Sequence, residues 1–233
     1  MEKRKKPVEF HYTFTFADGS AKQFDVHLDP TSLALQEMPH KALPQWARLD
    51  YRQCPQCTLT EDMTPWCPVA ANLVDVIEEF KDVVSFEEAT VRIETPDRTY
   101  EKHTAIQKGV SSLMGIYTVS CGCPVFNALR PMVRFHLPFA SIEETMYRVV
   151  SMYLVQQYFR MRREQEPDWA MQGLAEVYRE IHEVNNAFME RLEGLSLKDS
   201  NINALVILDI FSSFMTFSLE TDNLSKIAYL FND

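Results

Sequence analysis

The sequence predicts an α+β protein, with β-hairpins and short helices in its first part and a bundle of three to four helices in its last. Three observations carry this. The first residues alternate apolar and polar with a period of two. From Ser141 onward the apolar residues recur every three to four. No flexible, Gly- or Ser-rich stretch separates the two patterns. A mixed, cysteine-containing part over residues 1–139 and a helical part over 140–233 are therefore expected to share one core.

The opening strands are the clearest element. Val8, Phe10, Tyr12, Phe14 and Phe16 alternate with Glu9, His11, Thr13 and Thr15. Asp18-Gly19 supplies a turn, because glycine tolerates the positive φ of a tight hairpin. Phe24, Val26 and Leu28 then continue the alternation. Pro44, Trp46 and Leu49 indicate a short irregular or helical segment. Pro68 suits the first turn of a helix, which Val69, Leu73, Val76, Ile77 and Phe80 extend. A second hairpin is predicted over 89–103, with Val91 and Ile93 facing Tyr100. A helix carrying Ile106, Val110, Leu113, Met114 and Tyr117 follows and stops before Cys121.

In the helical part, Ser141 and Glu144 fit a capping box, each satisfying a free backbone donor of the other's end. Ile142, Met146, Val149, Val150, Tyr153 and Leu154 form the expected buried stripe. Pro167-Asp168 interrupts, and a second helix is predicted from about Trp169 to Leu192, with Leu174, Val177, Ile181, Val184 and Phe188 inward. Gly194 ends it. A third helix, about 201–219, is apolar nearly all round, so its own chain or a partner chain is expected to enclose it.

Composition narrows the function. Six glycines against fifteen Phe and nine Tyr indicate a dense core. A net charge of −10 argues against a broad nucleic-acid face, which needs clustered Lys and Arg. The basic run Lys3–Lys6 reads as a solvated arm. The run Arg160–Arg163 falls at a helix C-terminus, where cations complement the dipole. The start MEKRKKPVEFHYTF has strand alternation and not the apolar block of a leader. The stretch Ile202–Leu219 contains Asp209 and several hydroxyls, and reads as a buried helix with no membrane role. Five cysteines without a secretion signal point to the cytoplasm.

All five cysteines sit in two stretches, CPQCTLTEDMTPWCP (54–68) and VSCGCPV (119–125). Cys54 and Cys57 have the C-x-x-C spacing that lets two thiolates reach one metal from a tight turn. Cys67 and Cys123 complete a tetrahedral set, with Cys121 as the alternative ligand; His103 and His136 are more distant candidates. Proline follows Cys54, Cys67 and Cys123 and stiffens each position. Structural zinc is the leading expectation. An iron–sulfur cluster is the alternative metal group, although the compact ferredoxin run is absent. The same thiols are also read as a dithiol exchange pair at Cys54 and Cys57, or as buried small hydrophobes.

Signatures of the common phosphate-binding loops, zinc proteases and serine hydrolases are absent from the sequence. The adjacent pairs Glu78-Glu79 and Glu143-Glu144 diverge around their helices and read as solvated faces. Arg130, Arg134 and His136 lie just beyond Cys123 and form a candidate anion site, against the plainer reading of ion pairs in an acidic chain.

The stretches CPVAANL (67–73), GCPVFNALRPMVRFHLPFAS (122–141), ETMYRVVSMYLVQQY (144–158) and PDW (167–169), with the aromatic strand and DG turn, carry a resemblance. The chain resembles, over nearly its full length, an uncharacterised bacterial family, a domain of unknown function. The resemblance implies no activity, cofactor or catalytic residue. The resulting expectation is a non-catalytic cytosolic protein with a four-cysteine metal site and a helical part that mediates homo-oligomer or partner contacts. Its rival is an iron–sulfur or dithiol redox or sensory protein.

Overall fold

The computed structural model describes residues 6–36, 42–221 and 223–231. Of the basic arm, Lys3, Arg4 and Lys5 lie outside the described residues, while Lys6 pairs with Asp97 at 2.8 Å.

Strand β1 (Val8–Phe16) and strand β2 (Ala21–Leu28) form the expected antiparallel hairpin. Its turn is fixed by Asp18, which accepts from the backbone N of Ser20 at 2.8 Å and its hydroxyl at 2.6 Å, and by Gly19 at a φ of 85°. Every second residue of β1 is buried, as the alternation requires. Strands β3 (Glu88–Glu94) and β4 (Thr99–Ala105) make the second hairpin, with Ile93 opposite Tyr100. The two hairpins join through β1 and β3, where Tyr12 faces Ile93 and Phe14 faces Val91. The result is one four-stranded antiparallel sheet in the order β2-β1-β3-β4.

The apolar face of this sheet needs a cover, and two amphipathic helices supply it: α1 (Pro68–Phe80) and α2 (Ile106–Ser120). Phe80 packs edge-on to Phe14 at 5.0 Å and stacks on Phe24 at 5.6 Å. Helix α2 approaches the strands closely at Gly109. A Cβ there would lie 2.7 Å from Phe14 Cε1 and 2.9 Å from Val91 Cγ2, so only glycine fits.

A short helix α3 (Arg130–Arg134) leads to α4 (Ile142–Arg162), α5 (Gln172–Leu192), α6 (Ser200–Glu220) and the short α7 (Ser225–Ala228). The capping box is formed: Glu144 N donates to Ser141 Oγ at 3.1 Å, and Ser141 N donates to Glu144 Oε2 at 2.8 Å. Helix α6 packs on both α2 and α5. One buried cluster runs from Val8 in β1 to Ile227 in α7.

Three expectations need correction. Helix α5 begins at Gln172 and not near Trp169, because Asp168 caps it: its carboxylate accepts from Gly173 N at 2.8 Å and from Tyr153 Oη at 2.8 Å, while Met171 turns at a φ of 57°. Trp169 is left half exposed. Ile142 is exposed and leaves the stripe of α4, which rests on Met146, Val149 and Val150. Helix α6 is only partly enclosed, with Ile210 56% and Phe217 61% exposed. By length and composition it is long enough and apolar enough to cross a membrane, with 28% of that stretch buried.

Candidate functional site: a thiol neighbourhood beside a buried arginine

Backbone pairing brings the cysteine loop to the core. Leu49 N donates to Pro65 O and Cys67 N to Ala47 O, both at 2.9 Å, which pins the two ends of the 50–66 loop together. Within it, Cys57 N donates to Cys54 O at 3.0 Å and closes the tight turn that C-x-x-C spacing requires. Cys67 is the N-cap residue of α1, buried, with Pro68 at the first helical position. Cys121 follows the last turn of α2, and Gly122, at a φ of 95°, reverses the chain into Cys123.

These segments meet. Burial pushes the Cys54 thiol up to about 12, and the neighbouring Cys67, Cys57 and Cys123 push it the same way; Arg191 opposes them. Cys123 is likewise raised, by burial first, with backbone N–H groups of Val125 and Phe126 opposing and Cys67 and Cys57 adding to the rise. Cys54 and Cys123 thus each feel the other cysteines named from the sequence, across three chain segments. Cys121 donates its Sγ–H to Thr118 O at 3.0 Å, and burial raises its thiol, with Cys123 and Cys67 adding to the rise. All five cysteines are free. Proximity stops short of ligation geometry: among the described residues, no three His, Cys, Asp or Glu side chains stand close enough to hold one ion in common. His103 pairs with exposed Glu88 at 3.1 Å and His136 with Tyr12, so neither joins the thiols.

Beside Cys54 sits Arg191 of α5, only 2% exposed. Its Nη1 donates to Trp46 O at 2.8 Å and Arg48 O at 2.6 Å, and its Nη2 to Arg52 O at 3.3 Å. Tyr51 stacks against the guanidinium at 5.8 Å. Among the described residues every hydrogen-bond partner is a neutral carbonyl, and no carboxylate pairs with it. Sequence reasoning missed this residue, although a signal was there: Ile181, Val184 and Phe188 predict that the next inward position of α5 is 191.

Of Arg130, Arg134 and His136, the last two line one small cavity and Arg130 does not. Arg130 Nε is buried without a partner, and Arg134 reaches toward Lys6 O at 3.5 Å. Burial, with a smaller contribution from Arg148, lowers His136 to about 3, so at neutral pH it is uncharged. Its Nε2 shares hydrogen bonds with Tyr12 Oη at 2.9 Å and Ser112 Oγ at 3.2 Å. The ring is half-buried by surface, its open edge facing the cavities it lines.

A further polar group joins α5 to α6. Asp209 Oδ1 at 2.7 Å and Ser213 Oγ at 3.0 Å both meet His182 Nδ1, while Asn186 Nδ2 faces Nε2 at 3.1 Å. A hydrolytic triad needs the nucleophile and the carboxylate on opposite ring nitrogens. Here they compete for one, so the group reads as an interhelical tie.

Fold and site together define an α+β protein in which the cysteine-bearing loop is tied to a buried cation of α5. The chain belongs to the family described as Domain of unknown function (DUF6901), whose model matches residues 10–232. No curated protein matches the chain, and no solved structure does.

Proposed function

We propose that this is a non-catalytic metal-binding protein, in which Cys54, Cys57, Cys67 and Cys123 hold a structural zinc ion. The observation that carries the reading is Arg191. A guanidinium removed from water is costly unless an anion offsets it, and the Cys54 thiol is an acidic group close enough to feel it. Protonated thiols provide no charge. Thiolates bound to a divalent cation do, because four of them exceed the cation's charge and leave the site anionic. Arg191 is therefore suited to the metal-bound form.

The donor set fits zinc in identity and in charge. In spacing it requires the 50–66 loop to draw inward, a movement that metal binding would drive. Four sulfur ligands leave no open position, so the ion would fix the loop to the ends of α1 and α2. The raised thiol of Cys54 counts against a dithiol exchange centre, which needs a thiolate at neutral pH. Free cysteines suit a reducing, cytoplasmic setting.

Elemental mass spectrometry on protein purified without chelator or nickel resin, with a free-thiol count, tests the reading. About one zinc per chain with at most one reactive thiol supports it. Iron with labile sulfide replaces zinc by the cluster alternative. No metal and five reactive thiols overturn it.

The helical part suits self-association. Val155 and Phe159, one turn apart on α4, are 54% and 52% exposed, with Tyr158 and Met161 open beside them. Light scattering that gives a monomer at micromolar concentration removes this second reading.

A further inference from the structure

A cleft of about 590 Å³ lies between α2, the segment from α3 to the start of α4, α5 and α6. Its volume is in the range of small-molecule sites. Three features give it a chemistry. First, no Asp or Glu lines it, in a chain with 33 acidic residues, while Lys102, Lys108 and Arg148 do. Among the described residues none of the three cations pairs with a carboxylate: Arg148 donates to Met132 O at 3.0 Å and Phe135 O at 2.8 Å, and Lys102 lies over the Phe139 ring at 5.8 Å.

Second, α5 turns a polar strip toward the cleft. Tyr178 and Asn185, with Ile181 between them, lie on one helical face and line the wall. Asn185 is 4% exposed, and its buried Nδ2 has no hydrogen-bond partner among the described residues. Tyr178 is 2% exposed and lines the same wall. Buried donors are seldom left unpaired in a native fold unless another molecule supplies the acceptor.

Third, the cleft is graded along α2. Lys108 and Ser112 lie toward the helix N-terminus, where α4 also begins at Ile142 and both helix dipoles present their positive ends. Farther along, Gly115 and Val119 face Leu208 and Phe211 of α6 in an apolar run. From Lys108 to Val119 the helix axis advances about 16 Å, a length suited to a medium-chain acyl group.

We propose that this cleft is a binding site for a fatty carboxylate, its anionic head among Arg148, Lys102 and Lys108 and its alkyl chain along α2 against α6. Tyr178 and Asn185 donate to the carboxylate or to a water beside it. This site is separate from the thiol neighbourhood and stands whether or not a metal binds there.

The test is isothermal titration of the full chain with dodecanoate below its micellar concentration, alongside dodecan-1-ol, which has the same chain without the charge. Gly115→Leu is chosen to fill the cleft: within 4 Å a Cβ at Gly115 meets only Leu208, at 3.8 Å, so the first atom of a side chain is tolerated there. The expected result is one saturable site for dodecanoate, at least tenfold weaker for the alcohol and lost in Gly115→Leu. The double variant Lys102→Gln/Lys108→Gln, on exposed side chains, is expected to weaken dodecanoate binding about fivefold or more and to flatten its salt dependence. Asn185→Leu tests the buried donor, and circular dichroism checks that each variant is folded. Absence of saturable binding, equal affinity for the alcohol, or unchanged binding in folded Gly115→Leu overturns the proposal.

Discussion

The guanidinium of Arg191 is near enough to the Cys54 thiol to oppose a small part of the rise that burial imposes on it. The same side chain ties the carbonyls of Trp46, Arg48 and Arg52. One residue on α5 thus organises the loop that carries two of the candidate ligands and acts electrostatically on one of them, Cys54. Replacing it by methionine keeps the length and removes both roles. Arg191→Met is expected to destabilise the protein by about 2–4 kcal/mol, because three enclosed carbonyls lose a charged donor. Zinc content of the purified variant is expected to fall. Urea melts and elemental analysis read the two effects separately.

His136 gives a pH signature. Its native value of about 3 lies below the ordinary 6.5, so between these values the unfolded chain binds a proton that the native chain excludes. Its contribution to stability is complete above about pH 6.5 and is lost as pH falls toward 3. By pH 5.5 the loss is about 1.4 kcal/mol, or roughly 3–5 °C in Tm. His136→Asn retains a polar side chain near Tyr12 and Ser112 without a titrating ring. The melting temperature of this variant is expected to fall by less than that of the parent chain between pH 7.5 and 5.5. Equal slopes for both proteins would exclude His136 as the source.

Gly109 is set by space and not by φ. Alanine would place a methyl group into Phe14 and Val91 and force α2 off the sheet. Gly109→Ala is expected to cost about 1–3 kcal/mol, against the gain of up to about 1 kcal/mol that the same change brings in an open helix. Gly115→Leu provides the contrast, since its neighbour leaves room. Thermal melts of the pair measure packing against helix propensity.

The start of α4 has a simpler expectation. Ser141→Ala removes the acceptor for Glu144 N and half of the capping box, and is expected to cost about 1 kcal/mol. Ser141→Asp should restore most of it. A denaturant series on the three proteins decides.

Local rules made much of this fold legible. The period-two run from Val8, the Asp18-Gly19 turn, Pro68 and the Ser141–Glu144 box each act within a few residues, and each element stands where its residues indicate. The joining of the hairpins was not legible, because pairing Phe14 with Val91 depends on tertiary geometry that no local pattern encodes. The start of α5 was missed for a related reason. Apolar spacing continued back to Trp169, while the cap at Asp168, whose partners are Gly173 and Tyr153, decided the boundary. The four-cysteine metal site expected from C-x-x-C and the prolines has no ligating geometry among the described residues. Arg191 was hidden by the habit of reading charge as surface. The cleft could not be read at all, since its walls come from segments far apart in the chain and its character lies in the absence of a lining carboxylate among the described residues.

The central pairing of β1 with β3 also sets an order of events during synthesis. The first hairpin leaves the ribosome long before residues 88–94 exist, with one edge of β1 unpaired and Tyr12, Phe14 and Phe24 uncovered. It must wait for α1 to be made before Phe80 can shield it, and for β3 before its edge is closed. Such delayed, non-local closure slows folding and leaves a sticky intermediate. The nascent chain is therefore expected to depend on chaperone holding until about the end of α2, and truncations that stop before β3 should aggregate when the full chain does not.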